Sequence, residues 1–335
     1  MSGKVGFCCK YVAPHPKKIF ESIDGFNTGT TTISWLKRQT RDVAEQRLWD
    51  LTVQNLEATR RLVEVVGGFD EQLRMVRLGS DILPAYTHVD WSAFYKRADV
   101  LGLLECGFAQ IGELARSKQV RLSFHPGQFT VLASENPGIV NNSIEEFEYH
   151  ADMARWMGYG KSFQDFKINV HISGRRGPDG IREAYKRLSV EARNCITIEN
   201  EENSWGLDDC LSISDIVPIV LDIHHNWIRE GTYLDPSDAR VARVIDSWRG
   251  VRPALHYSVS REDVLVGHST TVMPDMTSLL ASGYKKQKLR AHSDFYWNSA
   301  VNDWAAGFAK DFDIQCESKC KNLASAEFAK LVNCH

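Results

Sequence analysis

The side chains able to do chemistry in this sequence recur in one setting, at or just past the end of a short apolar run. His125 closes the run in RLSFHPG, His171 that in INVHISG and Glu199 that in ITIEN. Asp222 and His225 lie in IVLDIHHNW, His256 lies in ALHYS, Glu317 follows IQC, and His88 stands a short Pro-containing loop beyond RLGSDILP. Imidazole nitrogens and carboxylate oxygens are the donors that hold Zn²⁺, Mn²⁺ or Fe²⁺, and one carboxylate can bridge two ions about 3.5–4 Å apart. A lone histidine at such a place is more often a hydrogen-bonded core or surface residue. Five imidazoles and three carboxylates in the same setting are harder to assign to packing, because buried charge without a counter-ion is costly and divalent cations would offset that cost.

The runs that carry these residues alternate with longer segments of helical period, the pattern of βα units around a parallel sheet. Strands are expected over 4–9, 73–78, 120–125, 167–172, 195–200, 218–224, 253–257 and 313–316. Helices are expected over 40–66, 98–117, 142–157, 180–193, 235–248, 301–310 and 322–332. Eight strands in this alternation predict an α/β fold, a (β/α)₈ TIM barrel, whose C-terminal strand ends all open at one mouth. The segment 1–335 reads as one domain, with long loops at 13–39 and 261–290. His224 and His225 are adjacent on a strand and point to opposite faces, so periodicity leaves open which of them looks into the mouth. His15, His150 and His335 read as surface or packing residues.

Composition excludes several classes. With 335 residues, 43% hydrophobic and 25% charged, the chain is neither collagen-like nor disordered, and it is long enough to need no disulfide staples. Its eight cysteines form no CxxC pair and read as reduced thiols. No stretch has the continuous apolar character of a signal peptide or membrane span, so a cytoplasmic location is expected. A formal net charge of -3 announces no polyanionic partner. Any such partner would have to meet a local basic surface, for which 37–41, 175–176 and 285–290 are the candidates.

Taken in order, RLGSDILP with its following His88, SFHPGQF, VHISG, ITIENEE, PIVLDIHHNW, LHYS and CESKCKNLA resemble the motifs of the UV damage endonucleases, over about 5–331. These are TIM barrels related to endonuclease IV and the xylose-isomerase-like group. The resemblance implies an enzyme that nicks damaged double-stranded DNA on the 5′ side of pyrimidine dimers and related lesions, without ATP, membrane or an obligatory protein partner. It implies two to three divalent ions, Mn²⁺ first with Zn²⁺, Mg²⁺ or Co²⁺ as alternatives, and metal-activated hydroxide as the attacking group. The ligands it implies are His88, His125, His171, Glu199, Asp222, His225, His256, Glu317 and, from AHSDFYW, His292 in preference to His268. Glu199, His225, His256 and Glu317 form the implied catalytic set, and His225 is preferred to His224. Gln128 and Phe129 stand where the family has a Gln-Tyr pair that probes DNA, and Phe7 and Tyr11 are candidates to line a lesion pocket. The family commonly has a lysine, open to carboxylation, two residues before the seventh-strand histidine, where this chain has Ala254. A weakly held third ion, regained with a lysine at 254 if room remains, is therefore expected. A metal-dependent sugar isomerase or epimerase on the same barrel, or a damage-binding protein without catalysis, would share parts of this pattern.

Overall fold

Eight short parallel strands close on one another in the computed structural model, which describes residues 3–333. His335 and Cys334 lie outside the described residues. The barrel strands are β1 (Val5–Cys8), β2 (Met75–Arg77), β3 (Arg121–Phe124), β4 (Lys167–His171), β5 (Ile196–Glu199), β6 (Ile219–Asp222), β7 (Ala254–Tyr257) and β8 (Asp313–Cys316). Each pairs with its sequence neighbours and β8 pairs with β1, so no edge remains. Period-two alternation divides each strand between two environments. On β4, Ile168 and Val170 join the apolar core under the helices, while Lys167 and Asn169 bond to His256 and Glu199 inside the barrel.

The outer layer comprises α1 (Arg41–Gly67), α2 (Ala98–Ser117), α3 (Pro137–Trp156), α4 (Gly177–Arg187), α5 (Ile223–Glu230), α6 (Ala239–Ser247), α7 (Ser299–Ala306) and α8 (Lys321–Val332), with shorter helices between them. Leu48, Leu62, Val63 and Val66 of α1 are buried with Leu104, Phe108 and Ile111 of α2, the apolar stripes that their 3.6-residue period implies. Asn136 starts α3 by accepting from the Gly138 N–H at 2.8 Å, with Pro137 at the first helical position. The floor of the barrel is ionic: Asp313 accepts from Arg121 at 2.6 Å and from Arg252 at 2.9 Å. Stability must therefore come mainly from the strand–helix layer, where the apolar area is.

Two expectations change. The sixth strand stops at Asp222 instead of reaching 224, because the Asp222 carboxylate accepts from the His225 N–H at 2.7 Å and caps a helix there. Gly231, with φ of 80°, ends that helix in the left-handed region. The two expected loops also hold structure. A two-stranded ribbon (Val12–Ala13 with Glu21–Ser22) starts one residue ahead of 13–39, and that segment also holds the helix Ile33–Lys37. Residues 261–290 carry Leu265, Met276, Leu279 and Leu289 into a small core with Trp227 and Ile228 of α5. Among the described residues no helix is long and apolar enough to cross a membrane.

Candidate metal centre

Strand register sets the site. His171 is paired with Glu199 and Asp222 with His256, while Glu199 stands opposite Val220, so the two donor pairs follow each other by two residues of stagger at the C-terminal strand ends. Glu317 follows directly on β8, and His125 on β3. Three donor groups result, each with atoms within 4.8 Å of one another: His125, His171 and Glu199; Glu199, Asp222 and His225; Asp222, His256 and Glu317. Glu199 and Asp222 each belong to two groups, the place of a bridging carboxylate.

Neighbours fix how these side chains face. The Thr197 hydroxyl donates to Asn169 Oδ1 at 2.8 Å, and the Asn169 amide donates to Glu199 Oε2. His125 Nδ1–H donates to the Pro126 carbonyl at 3.1 Å, which leaves Nε2 toward Glu199 Oε2 at 3.2 Å. Arg77 bonds Glu317 from below. With these contacts made, four atoms remain buried without a hydrogen-bond partner: Glu199 Oε1, Asp222 Oδ2, His171 Nδ1 and His256 Nδ1. Each unmet buried polar group costs about 1–3 kcal/mol, and four on one site form an oxygen–nitrogen donor set that suits divalent cations.

Electrostatics divide the carboxylates of the site into two kinds. Burial would raise the Glu199 carboxyl, but His256, His171 and His125 outweigh it and hold it well below the ordinary carboxylate range. Glu317 is likewise held low, by Arg77, His256 and His292 against burial. Asp222 goes the other way: burial pushes it up to about 8, with Glu199 and Glu317 adding to the shift and His225 opposing it. His225 is raised to about 9 despite burial, by Asp222, Glu199, Glu202 and Glu317. The cluster thus retains protons at neutral pH where cations could replace them.

Above the donors lies a cavity of about 750 Å³, lined by His171, His225 and His292, by Glu201 and Glu202, and by Gln128 and the cations Arg261, Lys288 and Arg290. The family model of UV-endonuclease UvdE matches residues 4–333. The chain belongs to this UV-endonuclease family. A UV DNA damage endonuclease of Bacillus cereus is 26% identical over 309 residues, 89% of this chain and 87% of the relative. One of Bacillus mycoides is 27% identical over 308 residues, covering 88% and 85%. The crystal structure of SacUVDE superposes with a TM-score of 0.72 at 21% identity over 99% of this chain and 98% of that one. Endonuclease IV from Thermus thermophilus gives 0.52 at 13% over 82% and 93%. Both structures share the barrel.

Within this UvdE-family endonuclease, the remaining sequence candidates fall in different places. His292 lies on the cavity wall with Nδ1 3.9 Å from Glu317 Oε2, outside the three donor groups. His268 is half-buried beside Trp297, its Nδ1 bonded to the Ser269 carbonyl. His88 also falls in none of the groups: its Nδ1 accepts from the Asp90 N–H at 3.1 Å, and it lines a second cavity of about 650 Å³ with Val89 and Phe129. Gln128 and Phe129 are thus split between the two cavities, with Phe129 85% exposed on the rim.

Phe7 and Tyr11 do not reach the mouth. Phe7 faces outward with Val5 by the period of β1, and both aromatic residues line a separate cavity of about 600 Å³ with Phe69, Phe295 and Leu323. Of the basic stretches, 285–290 contributes Lys288 and Arg290 to the mouth, where Arg290 pairs with Glu202 at 2.8 Å; Lys37 pairs with Asp90, Arg175 with Glu135 and Arg176 with Glu183.

His224 is buried against Trp227, one residue away from the donor that periodicity could not choose. Sequence reading passed over Arg77, Lys167, Asn169, Glu201 and Glu202. Lys167 and Asn169 precede His171 by four and two residues on one strand, and that period-two signal places all three inside. Ala254 packs low in the barrel with Met75, Val220 and Trp248, and Lys167 occupies the space beneath His256. A lysine at 254 would enter the interior that already holds Lys167.

Proposed function

We propose that this protein is a metal-dependent endonuclease that cuts duplex DNA on the 5′ side of UV photoproducts and related lesions, with Mn²⁺ the first ion to test and Zn²⁺, Mg²⁺ and Co²⁺ the alternatives. The observation that carries this reading is the convergence of four unpartnered buried donor atoms on one barrel mouth. His125, His171 and Glu199 would hold one ion, Asp222, His256 and Glu317 a second, and Glu199, Asp222 and His225 a third. Bound ions supply positive charge for the scissile phosphate and a water of lowered pKa.

The chain's own groups do the rest. Asn169 and Arg77 hold Glu199 and Glu317 in place, while Arg261, Lys288 and Arg290 present cations to the DNA phosphates across the mouth. A damaged dinucleotide stacks and pairs poorly, so bending the duplex and turning it out costs less than for intact DNA. Phe129 and Gln128 stand at the rim where such a wedge would act. The reading takes the segment 1–335 as one domain acting in the cytoplasm.

The test is a nicking assay on an end-labelled duplex carrying one pyrimidine dimer. Cutting 5′ to the dimer without ATP, lost on exhaustive chelation and restored by Mn²⁺, is the expected result. Cutting that survives chelation, or no cutting with Mn²⁺ supplied, would sink the proposal. Phe129→Ala should leave metal content and melting temperature unchanged, since the ring is solvent-exposed. It should lower discrimination between damaged and intact duplex by about 5- to 150-fold, the equivalent of ~1–3 kcal/mol for one stacked base. Unchanged discrimination in competitive binding would return Phe129 to an ordinary surface role.

A further inference from the structure

Lys167 opens β4 at the bottom of the barrel, 2% exposed, and its side chain runs toward β7, three strands away. There Nζ lies 3.0 Å from Nε2 of His256. A buried lysine ordinarily meets a carboxylate; this one meets an imidazole. The other nitrogen of that ring, Nδ1, is buried, makes no hydrogen bond, and faces Glu199 Oε2 at 3.1 Å and Glu317 Oε1 at 3.4 Å. Ala254, two residues before His256 on the same face of β7, is buried with Met75, Val220 and Trp248 and offers His256 no polar partner of its own. The same strand repeats the arrangement one step higher, where Asn169 bonds Glu199. β4 therefore carries two residues bonded to donors of other strands, at 167 and 169, below its own donor at 171.

We propose that Lys167 is a positioning residue: bonded to Nε2 of His256, it fixes the ring so that Nδ1 is presented to the ion shared with Asp222 and Glu317. The assignment rests on the metal-centre reading above. An ion on Nδ1 leaves the ring hydrogen on Nε2, where Lys167, buried as the neutral amine, accepts it through Nζ. Partners of this kind fix the tautomer and orientation of a metal-bound histidine, and losing one typically weakens metal binding by about 10- to 100-fold.

The test measures Mn²⁺ binding directly, by calorimetry and by electron paramagnetic resonance of the bound ion, in the parent, Lys167→Met, His256→Ala and the double variant. Methionine keeps the length of the chain and removes the nitrogen, and thermal unfolding establishes that each variant is folded. Lys167→Met is expected to weaken one class of ion by about 10- to 100-fold, to leave the others within threefold, and to add nothing in the His256→Ala background. Lys167→Gln, which keeps a polar end on a shorter chain, should fall between the two. Unchanged affinity would overturn the assignment, and so would an equal loss in both backgrounds, which would mark a packing role. Tighter binding in Lys167→Met would also overturn it, by showing that Nζ acts as a cation competing with the ion. A parent that binds no Mn²⁺ would overturn the metal-centre reading itself, a distinct result from a parent that binds and a variant that binds equally well.

Discussion

Glu199→Gln is expected to reduce nicking by at least about a thousandfold while the folded barrel and its binding of damaged DNA persist, since losing several kcal/mol of metal-borne charge stabilisation is a loss of that size. Glutamine keeps the shape of the side chain and the place of the oxygen that Asn169 bonds. It changes the other end. The buried oxygen that faces Asp222 and His225 without a partner becomes an amide group that repels a cation, and the negative charge common to two donor groups disappears. Three measurements separate this from unfolding: circular dichroism, affinity for a dimer-containing duplex, and single-turnover cutting with saturating Mn²⁺. Cutting within tenfold of the parent would show that Glu199 does not bridge.

Mn²⁺ should raise the melting temperature by about 5 °C or more beyond its effect at pH 6 when the comparison is made at pH 8. Each proton displaced contributes ~1.4 kcal/mol per pH unit to ion affinity, and ~1 kcal/mol moves the transition of a chain this large by about 2 °C. The sign follows from two groups that hold protons in the metal-free protein. Asp222 is pushed up to about 8 by burial, against His225, so it favours folding while protonated and that contribution is lost as pH rises toward 8. His225 is raised to about 9, against burial, by Asp222 and its acidic neighbours, so its contribution is complete below ~6.5 and is lost as pH rises toward 9. The Asp222 loss runs from about pH 4 to 8 and the His225 loss from about pH 6.5 to 9, so both are in progress in the window between about pH 6 and 8, where an ion takes over from the protons. Glu199 and Glu317, held low, contribute above the ordinary glutamate value of ~4.3 and lose that contribution only in acid, outside the window. Calorimetric titrations in two buffers of different ionisation enthalpy count the protons released. Equal gains in melting temperature at pH 6 and pH 8 would contradict this account.

The barrel was legible because its strands are short runs with apolar residues in each, β-branched above all in KINVH, ITIE and IVLD, and because strand ends in a parallel barrel share one mouth. The same rule brings His125, His171, Glu199, Asp222, His256 and Glu317 together, since it needs nothing but the strand boundaries. It stops where a side chain's position depends on something other than strand register. His88 and His292 sit in connections whose course is set by distant packing. The choice between His224 and His225 depended on the helix cap at Asp222, a hydrogen bond that converts an expected strand end into a turn of helix. Phe7 was within reach: Gly6 and Cys8 alternate with it along β1, and applying the period there, as for His224, turns its ring outward. Lys167 carried the inward signal too, but a polar residue at the start of an apolar strand reads equally well as a strand terminus.

Asp222 ties two parts of the molecule to one lever. One of its oxygens closes the first turn of α5 and the other is left to the ions, so the carboxylate and the helix move together. Trp227 and Ile228, on that helix, share a small core with Leu265, Met276, Leu279 and Leu289, which underlies the wall that presents Lys288 and Arg290. The innermost donor and the outermost cations are thus joined by packing through Trp227 and Ile228 of this helix. Linkage is reciprocal: any coupling that makes an occupied centre grip a polyanion more tightly makes the polyanion tighten the hold on the ions by the same free energy. Anyone remodelling this scaffold for a different cation would be retuning its hold on DNA in the same stroke.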